Sequence, residues 1–191
     1  QSFRSFDSTV VQIITNQGIS GFGEICPLGP SYLPSYSEGV RVGIKKLSEI
    51  LLGKDPSNIN NINFLMDNAL KGHPYVKSAV DIACWDILGK KMNIPVYTLL
   101  GGKLQSKVKL FKVISRDIPE IMQEKVNEYQ EQGYQQFQMK VGAEPTVDIS
   151  RIKLVSKDLK AGNILGADAN CGWKQHDAIR VINAVSDLDI Y

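Results

Sequence analysis

Cysteine is scarce and never paired along this chain: Cys26, Cys84 and Cys171 are odd in number, and no CxxC occurs. That spacing excludes a zinc knuckle and a disulfide framework, and leaves buried, reduced thiols as the expected state. Histidine is scarcer still, with His73 and His176 at no metal-ligand spacing. No apolar run reaches the roughly 20 residues of a membrane span, and no stretch has the layout of a signal peptide, so the expected location is cytoplasmic. An excess of one charge is missing too. Lys and Arg number 22 against 20 Asp and Glu, a net charge of +2, and the basic residues form no run of five or more. Nucleic acid and membrane surfaces are therefore not expected partners.

What remains is an ordinary globular composition, 43% hydrophobic and 22% charged over 191 residues, enough for one large domain or two small ones. Residues 9–15 (TVVQIIT) are β-branched, Asn16-Gln17-Gly18 is a turn signal, and ISGFGEI reads as the returning strand of a hairpin. The Gly21-Phe22-Gly23 pair lacks the G-x-G-x-x-G spacing and no helix opens after it, so a phosphate loop is not expected. Residues 26–36 (CPLGPSYLPSY) carry three prolines and read as a stiff loop. Helical stripes follow: Val40, Ile44, Leu47 and Leu51, with Gly53 as a C-terminal stop; Ile59, Ile62, Met66 and Ala69; then Val76, Ala79, Val80, Ala83 and Ile87. A short helix within Pro95–Lys103 closes an α+β segment.

From Lys107 the rhythm becomes strand, helix, strand, helix. Strands are expected at 107–115, 135–141 and 164–170, and helices at 118–132, 146–158 and 174–187. Repeated β-then-α units imply right-handed crossovers and a parallel sheet, either an open three-layer α/β sheet or a (β/α) barrel cut partway round. Leu188–Tyr191 reads as the start of a further strand. A sheet stopped there would expose its edges, so the natural chain is expected to be about twice as long and this stretch alone to be inactive.

The strand QQFQMKV breaks a rule of buried parallel strands, whose two faces are both apolar. Phe137, Met139 and Val141 alternate with Gln136, Gln138 and Lys140. In the next strand, ILGADAN, Asp168 and Asn170 share a face opposite Leu165, Ala167 and Ala169. Parity therefore sends Lys140, Asp168 and Asn170 into one space at the carboxyl ends of neighbouring strands about 5 Å apart, the end where α/β proteins keep their active sites. Alternatives are that Asp168 caps the next helix and that Lys140 snorkels to water. As a functional set, Asp168 is a hard oxygen ligand suited to Mg²⁺. Lys140 would be the base removing a proton next to a carboxylate, once burial beside a cation lowers its pKa from the ordinary value of about 10.4.

These residues carry a resemblance. GFGE (21–24), KSAVDIACWDILGK (77–90), NIPVYTLLGGK (93–103), QMKVG (138–142) and DAN (168–170) occur in the order and at the intervals of the enolase superfamily, in its mandelate racemase and muconate-lactonizing group. CPLGPSYLP together with FQMKVG is similar to the branch containing 4-hydroxyproline betaine epimerases and cis-3-hydroxyproline dehydratases. The resemblance implies an N-terminal α+β capping domain at 1–103, its first strand missing, and the first units of a TIM-like (β/α)7β barrel at 104–191. It implies Mg²⁺-assisted removal of the proton α to a carboxylate. Lys140 would serve one face of that carbon and a second lysine, on a later strand, the other. Asp168 would be the first of three carboxylate ligands, with the other two beyond Tyr191. Gln138 stands where the family's first K-x-K lysine does. It can donate to a substrate carboxylate, and Asn170 would contact substrate as well. Tyr32 and Tyr36 would close over the site, where an aromatic face suits a quaternary ammonium. Trp85, Asp81 and Asp86 are expected to serve packing and helix polarity. The implied activity is racemisation or epimerisation of a proline betaine or hydroxyproline-type small molecule, with dehydration through the same enolate as the alternative. A non-catalytic binding protein retaining the fold is the third reading. The family's habit of assembly implies a homo-oligomer.

Overall fold

The structure, a computed structural model, describes residues 5–191. Contacts divide these residues into two compact units, the first ending at Leu104 and the second running from Gln105 to Tyr191.

The first unit begins with an antiparallel hairpin, β1 (Thr9–Ile14) and β2 (Ser20–Ile25), in which Thr9 faces Ile25 and Ile14 faces Ser20. Gly18 turns the chain at φ +79°, a conformation that costs glycine little because it has no Cβ. Helices α1 (Ser37–Leu51), α2 (Ile59–Ala69), α3 (Pro74–Met92) and the single turn α4 (Val96–Leu99) follow, close to their expected bounds. Their stripes bury Leu47, Ile62, Met66, Val76, Val80 and Cys84 against Val11 and Ile13 of β1. Burial pushes the Cys84 thiol up to about 11. The expectation of three buried thiols fails for the other two. Cys26 is half-buried, and Cys171 is exposed in the turn after the last strand.

The GFGE stretch proves to be a packing device. Gly21 and Gly23 face α3, where a Cβ on either would collide with the carbonyl oxygen of Ala83 or Ala79. Only glycine lets β2 lie this close to the helix. Between them, the Phe22 N–H donates to Asp86 Oδ2 at 2.9 Å, and Lys90 Nζ donates to both Asp86 Oδ2 and the Ser20 carbonyl at 2.7 Å. Asp81 accepts from Asn63 Nδ2 at 2.8 Å, joining α2 to α3. Both aspartates are thus engaged in holding elements of this unit together.

The second unit alternates β3 (Phe111–Ile114), α5 (Pro119–Glu131), β4 (Gln136–Lys140), α6 (Pro145–Lys157), β5 (Ile164–Asp168) and α7 (Gln175–Ala184). The three strands are parallel in the order β3-β4-β5. Ile190 forms a parallel bridge to Leu165 on the far side of β5, and the Tyr191 N–H donates to the Leu165 carbonyl at 2.8 Å. Proline opens α5 and α6, where its missing N–H is one of the donors a helix start cannot use. β3 is shorter than the expected 107–115. Its partner β4 begins at Gln136, which pairs with Phe111, so Lys107–Leu110 have no β4 residue beside them, and Val108 and Leu110 are exposed. Phe137, Met139, Leu165 and Ile114 pack into a buried layer with Met122, Val126, Ile152, Val155 and Val181 of the helices. The opposite face of the sheet is the one that carries polar groups.

Candidate active site

β4 alternates as its sequence requires. Phe137 and Met139 are fully buried toward the helices, while Gln136, Gln138 and Lys140 take the other face and are partly exposed. The register with β5 sets Lys140 directly beside Asp168 and Gln138 beside Gly166. With no side chain at Gly166, Gln138 extends along the sheet toward the strand ends. Asp168 Oδ2 accepts from Lys140 Nζ at 2.7 Å and from Gln138 Nε2 at 3.0 Å. Asp168 Oδ1 accepts from the backbone N–H of Asn170 at 2.9 Å, and Asn170 Oδ1 accepts from Lys140 Nζ at 3.0 Å. Four sequence-predicted residues, Lys140, Gln138, Asp168 and Asn170, therefore meet at the carboxyl ends of two adjacent strands.

Asp168 does not cap the next helix, because α7 starts seven residues later and its N-cap is Lys174. Its Oδ1 closes a local turn instead, which carries Asn170 and Cys171 into the left-handed region at φ +47° and +60°. The Lys140 hydrogen bond holds the Asp168 carboxyl below the usual carboxylate range. The Asn170 N–H adds to that effect, and burial opposes it. A depressed folded-state pKa contributes stability that is complete above the unfolded value of about 3.9 and is lost as pH falls through the folded value. The stability gap between the native protein and Asp168→Asn, measured by urea unfolding, should thus be constant near neutrality and close below about pH 4. A gap that ignores pH would mean the ion pair contributes nothing.

Tyr32 and Tyr36 belong to the first unit. Both are about half exposed, and Tyr36 is the residue preceding α1, with its ring over Gly39. A cavity of about 690 Å³ in the same unit lies between β1, α1 and α3 and holds none of the predicted site residues. As for a metal, Asp168 has the oxygen donor Mg²⁺ takes. Among the described residues, however, no group of three or more His, Cys, Asp or Glu could hold an ion. These residues fit the metal as one carboxylate ligand, short of a complete site.

One residue near the site escaped the sequence reading. Asp148, in the first turn of α6, is wholly buried and accepts from the backbone N–H groups of Gly142 and Ala143, from Trp173 Nε1 and from Arg151 Nη1. An acidic residue in a first helical turn ordinarily signals only the helix dipole. The one further hint was the arginine three residues on.

Two family descriptions match the chain: "Mandelate racemase / muconate lactonizing enzyme, N-terminal domain" over residues 2–101, and "Enolase C-terminal domain-like" over residues 121–191. Among curated proteins, it is 54% identical over 186 residues to a cis-3-hydroxy-L-proline dehydratase of Roseibium aggregatum, covering 97% of this chain and 51% of that protein. It is 34% identical over 190 residues to an N-succinyl-L-Arg/Lys racemase of Bacillus cereus, covering 99% and 52%. Among solved structures, a member of the enolase superfamily from Roseovarius nubinhibens, also solved in complex with magnesium, superposes with a TM-score of 0.89 at 41% identity, over 94% of this chain and 49% of that one. The chain thus spans about half the length of the curated relatives it matches. It belongs to the mandelate racemase/muconate lactonizing enzyme group of the enolase superfamily, and comprises a capping domain followed by the opening units of the α/β barrel.

Proposed function

We propose that the protein to which this chain belongs is an enzyme removing the proton α to the carboxylate of a cyclic amino acid or its betaine, with Lys140 as the base. The observation that carries this reading is the meeting of Lys140, Gln138 and Asp168 at the ends of two parallel strands. The amine of Lys140 takes the α-proton and becomes an ammonium, and the C–H electron pair moves into the carboxylate to give an enediolate. Gln138 donates its amide N–H to a carboxylate oxygen. Asn170, held by the turn at Asp168, offers a second polar contact. Mg²⁺, with Asp168 as one of its ligands, would supply positive charge against the developing oxyanion. Tyr32 and Tyr36 are proposed to cover the substrate, an arrangement suited to a cationic ring nitrogen.

From the enediolate two outcomes diverge. In dehydration the electron pair returns to form a Cα=Cβ bond and expels the β-hydroxyl, which leaves with a proton as water. In epimerisation a second acid protonates the opposite face. The 54% identity to a protein named cis-3-hydroxy-L-proline dehydratase favours dehydration of a 3-hydroxyproline. The racemases among the more distant relatives keep epimerisation as the second reading. The whole protein, loaded with Mg²⁺ in heavy water, should convert cis-3-hydroxy-L-proline with loss of water. Deuterium entering Cα of L-proline betaine without loss of water would establish the second reading instead. No exchange in either compound would overturn the substrate class and leave a binding role.

A further inference from the structure

The polar face of the sheet depends on a buried carboxylate that takes no part in it. Asp148 has no exposed surface, and Arg151, its partner at 2.7 Å, is nearly as buried. Asp148 Oδ2 accepts from the N–H groups of Gly142 at 2.9 Å and Ala143 at 2.7 Å, the residues that lead away from Lys140. The same oxygen accepts from Trp173 Nε1 at 2.8 Å, in the loop that follows Asp168 and Asn170. Arg151 continues the chain of contacts, its Nε donating to the carbonyl of Asp117 at 2.6 Å, in the loop after β3. One ion pair on α6 is thus bonded to the loops leaving all three strands. The two loops nearest the site also press backbone on backbone, with Gly142 against the Ala169 carbonyl and Gly172 against the Gly142 carbonyl.

We propose that Asp148 is a positioning residue: by joining the loop after β4 to the loop after β5, it sets the separation of Lys140 from Asp168. The argument rests on charge, geometry and burial together. A fully buried carboxylate is tolerated only when its lone pairs are met, and four donors meet these. Every one of those donors is fixed in direction, two being backbone N–H groups, one an indole N–H and one a guanidinium. The carboxylate they share, with Oδ2 taking three of the donors and Oδ1 the guanidinium, is therefore a rigid node, and the strand ends on either side of it inherit that rigidity. Two nearer groups could have done the same work and do not. The ladder pairs the backbones of Lys140 and Asp168, but their side chains are each about 30% exposed, and their own contact is a partly solvated pair at two strand ends. The role concerns the proposed proton transfer and rests on it.

The test uses the whole enzyme and three variants, Asp148→Asn, Arg151→Lys and Trp173→Phe. The first removes the charge, the second shortens the link to the β3 loop, and the third deletes one bond while keeping most of the ring's packing. Misplacing a catalytic group by about 1 Å costs about 100-fold in rate. Asp148→Asn should therefore lower kcat for cis-3-hydroxy-L-proline about 100-fold with KM within about threefold, and Trp173→Phe about tenfold. Crystal structures of the variants should show the 2.7 Å contact between Lys140 Nζ and Asp168 Oδ2 lengthened or broken. If Asp148→Asn does not fold, the other two carry the test. Folded variants with kcat and the contact both unchanged overturn the proposal. So does an activity loss that matches the loss of folded protein. If the unaltered enzyme acts on neither cis-3-hydroxy-L-proline nor proline betaine, the proposed function fails by itself. The crystallographic contact then decides the positioning role alone.

Discussion

Replacing Lys140 by alanine in the whole enzyme should lower the rate of α-proton removal by about 10³-fold, within the range a positioned general base supplies. No other described amine can take its place from this sheet. Lys112, on the neighbouring strand, points to the helix side, where its Nζ lies 4.6 Å and 4.8 Å over the rings of Tyr129 and Tyr134. KM should change little, because the proposed contact of the Gln138 amide with the substrate carboxylate would be kept. The fold should survive the change as well. Lys140 and Asp168 are each about 30% exposed, and Asp168 keeps Gln138 and the Asn170 N–H as donors. Losing such a partly solvated pair costs about 1 kcal/mol or less. The loss in rate therefore reports chemistry and not unfolding. The truncated side chain leaves room for a small primary amine, so methylamine should restore part of the rate with a pH dependence set by the added amine. A Lys140→Ala enzyme that retains native kcat would remove Lys140 from the mechanism, whatever the substrate proves to be.

Lys140, Gln138 and Asp168 were legible because a strand has a period of two and both strands alternate cleanly. Once Phe137 and Met139 are assigned to the helices, nothing remains for the lysine but the opposite face, and the parallel register brings Asp168 beside it. The helices of the first unit were legible for the same reason, each showing a 3.6-residue stripe. The start of β3 was not, because a strand ends where its partner ends, and Gln136 sets that limit from 25 residues further along the chain. Gly21 and Gly23 showed in the sequence as part of a returning strand and of a family resemblance, without a physical reason for either glycine. Their reason, the carbonyl groups of Ala79 and Ala83, lies on a helix far along the chain. Asp148 was hidden most completely. Of its partners, two loop N–H groups, an indole and a guanidinium, only the guanidinium of Arg151 stands at helical spacing in the sequence, and its meaning exists only after the βα units have stacked. Tyr32 and Tyr36 came from resemblance alone, and their part in the site remains a proposal.

Gly142 unites the two kinds of information, and Gly142→Ala should destabilise the protein by about 3 kcal/mol. Its φ of +93° is a conformation that L-residues rarely adopt. Placing alanine in left-handed space costs about 1–2 kcal/mol. The new methyl would also run into the carbonyl of Ala169, a backbone group that cannot swing aside, and overpacking of that kind adds about 1–3 kcal/mol. Gly162 supplies the control. It has a similar φ of +84°, and nothing lies within 4 Å of where its Cβ would be. Gly162→Ala should therefore show the backbone strain alone, about 1 kcal/mol, and the difference between the two variants in urea unfolding isolates the collision. Equal costs would mean that the loops after β4 and β5 part easily. Unequal costs carry a consequence for the site. Relieving the collision requires those loops to separate, and Gly142 is both two residues from Lys140 and a donor to Asp148. At a temperature where Gly142→Ala is still folded, kcat should fall further than the folded fraction, while Gly162→Ala, whose turn precedes β5 at the opposite end of the strand, should keep native kcat.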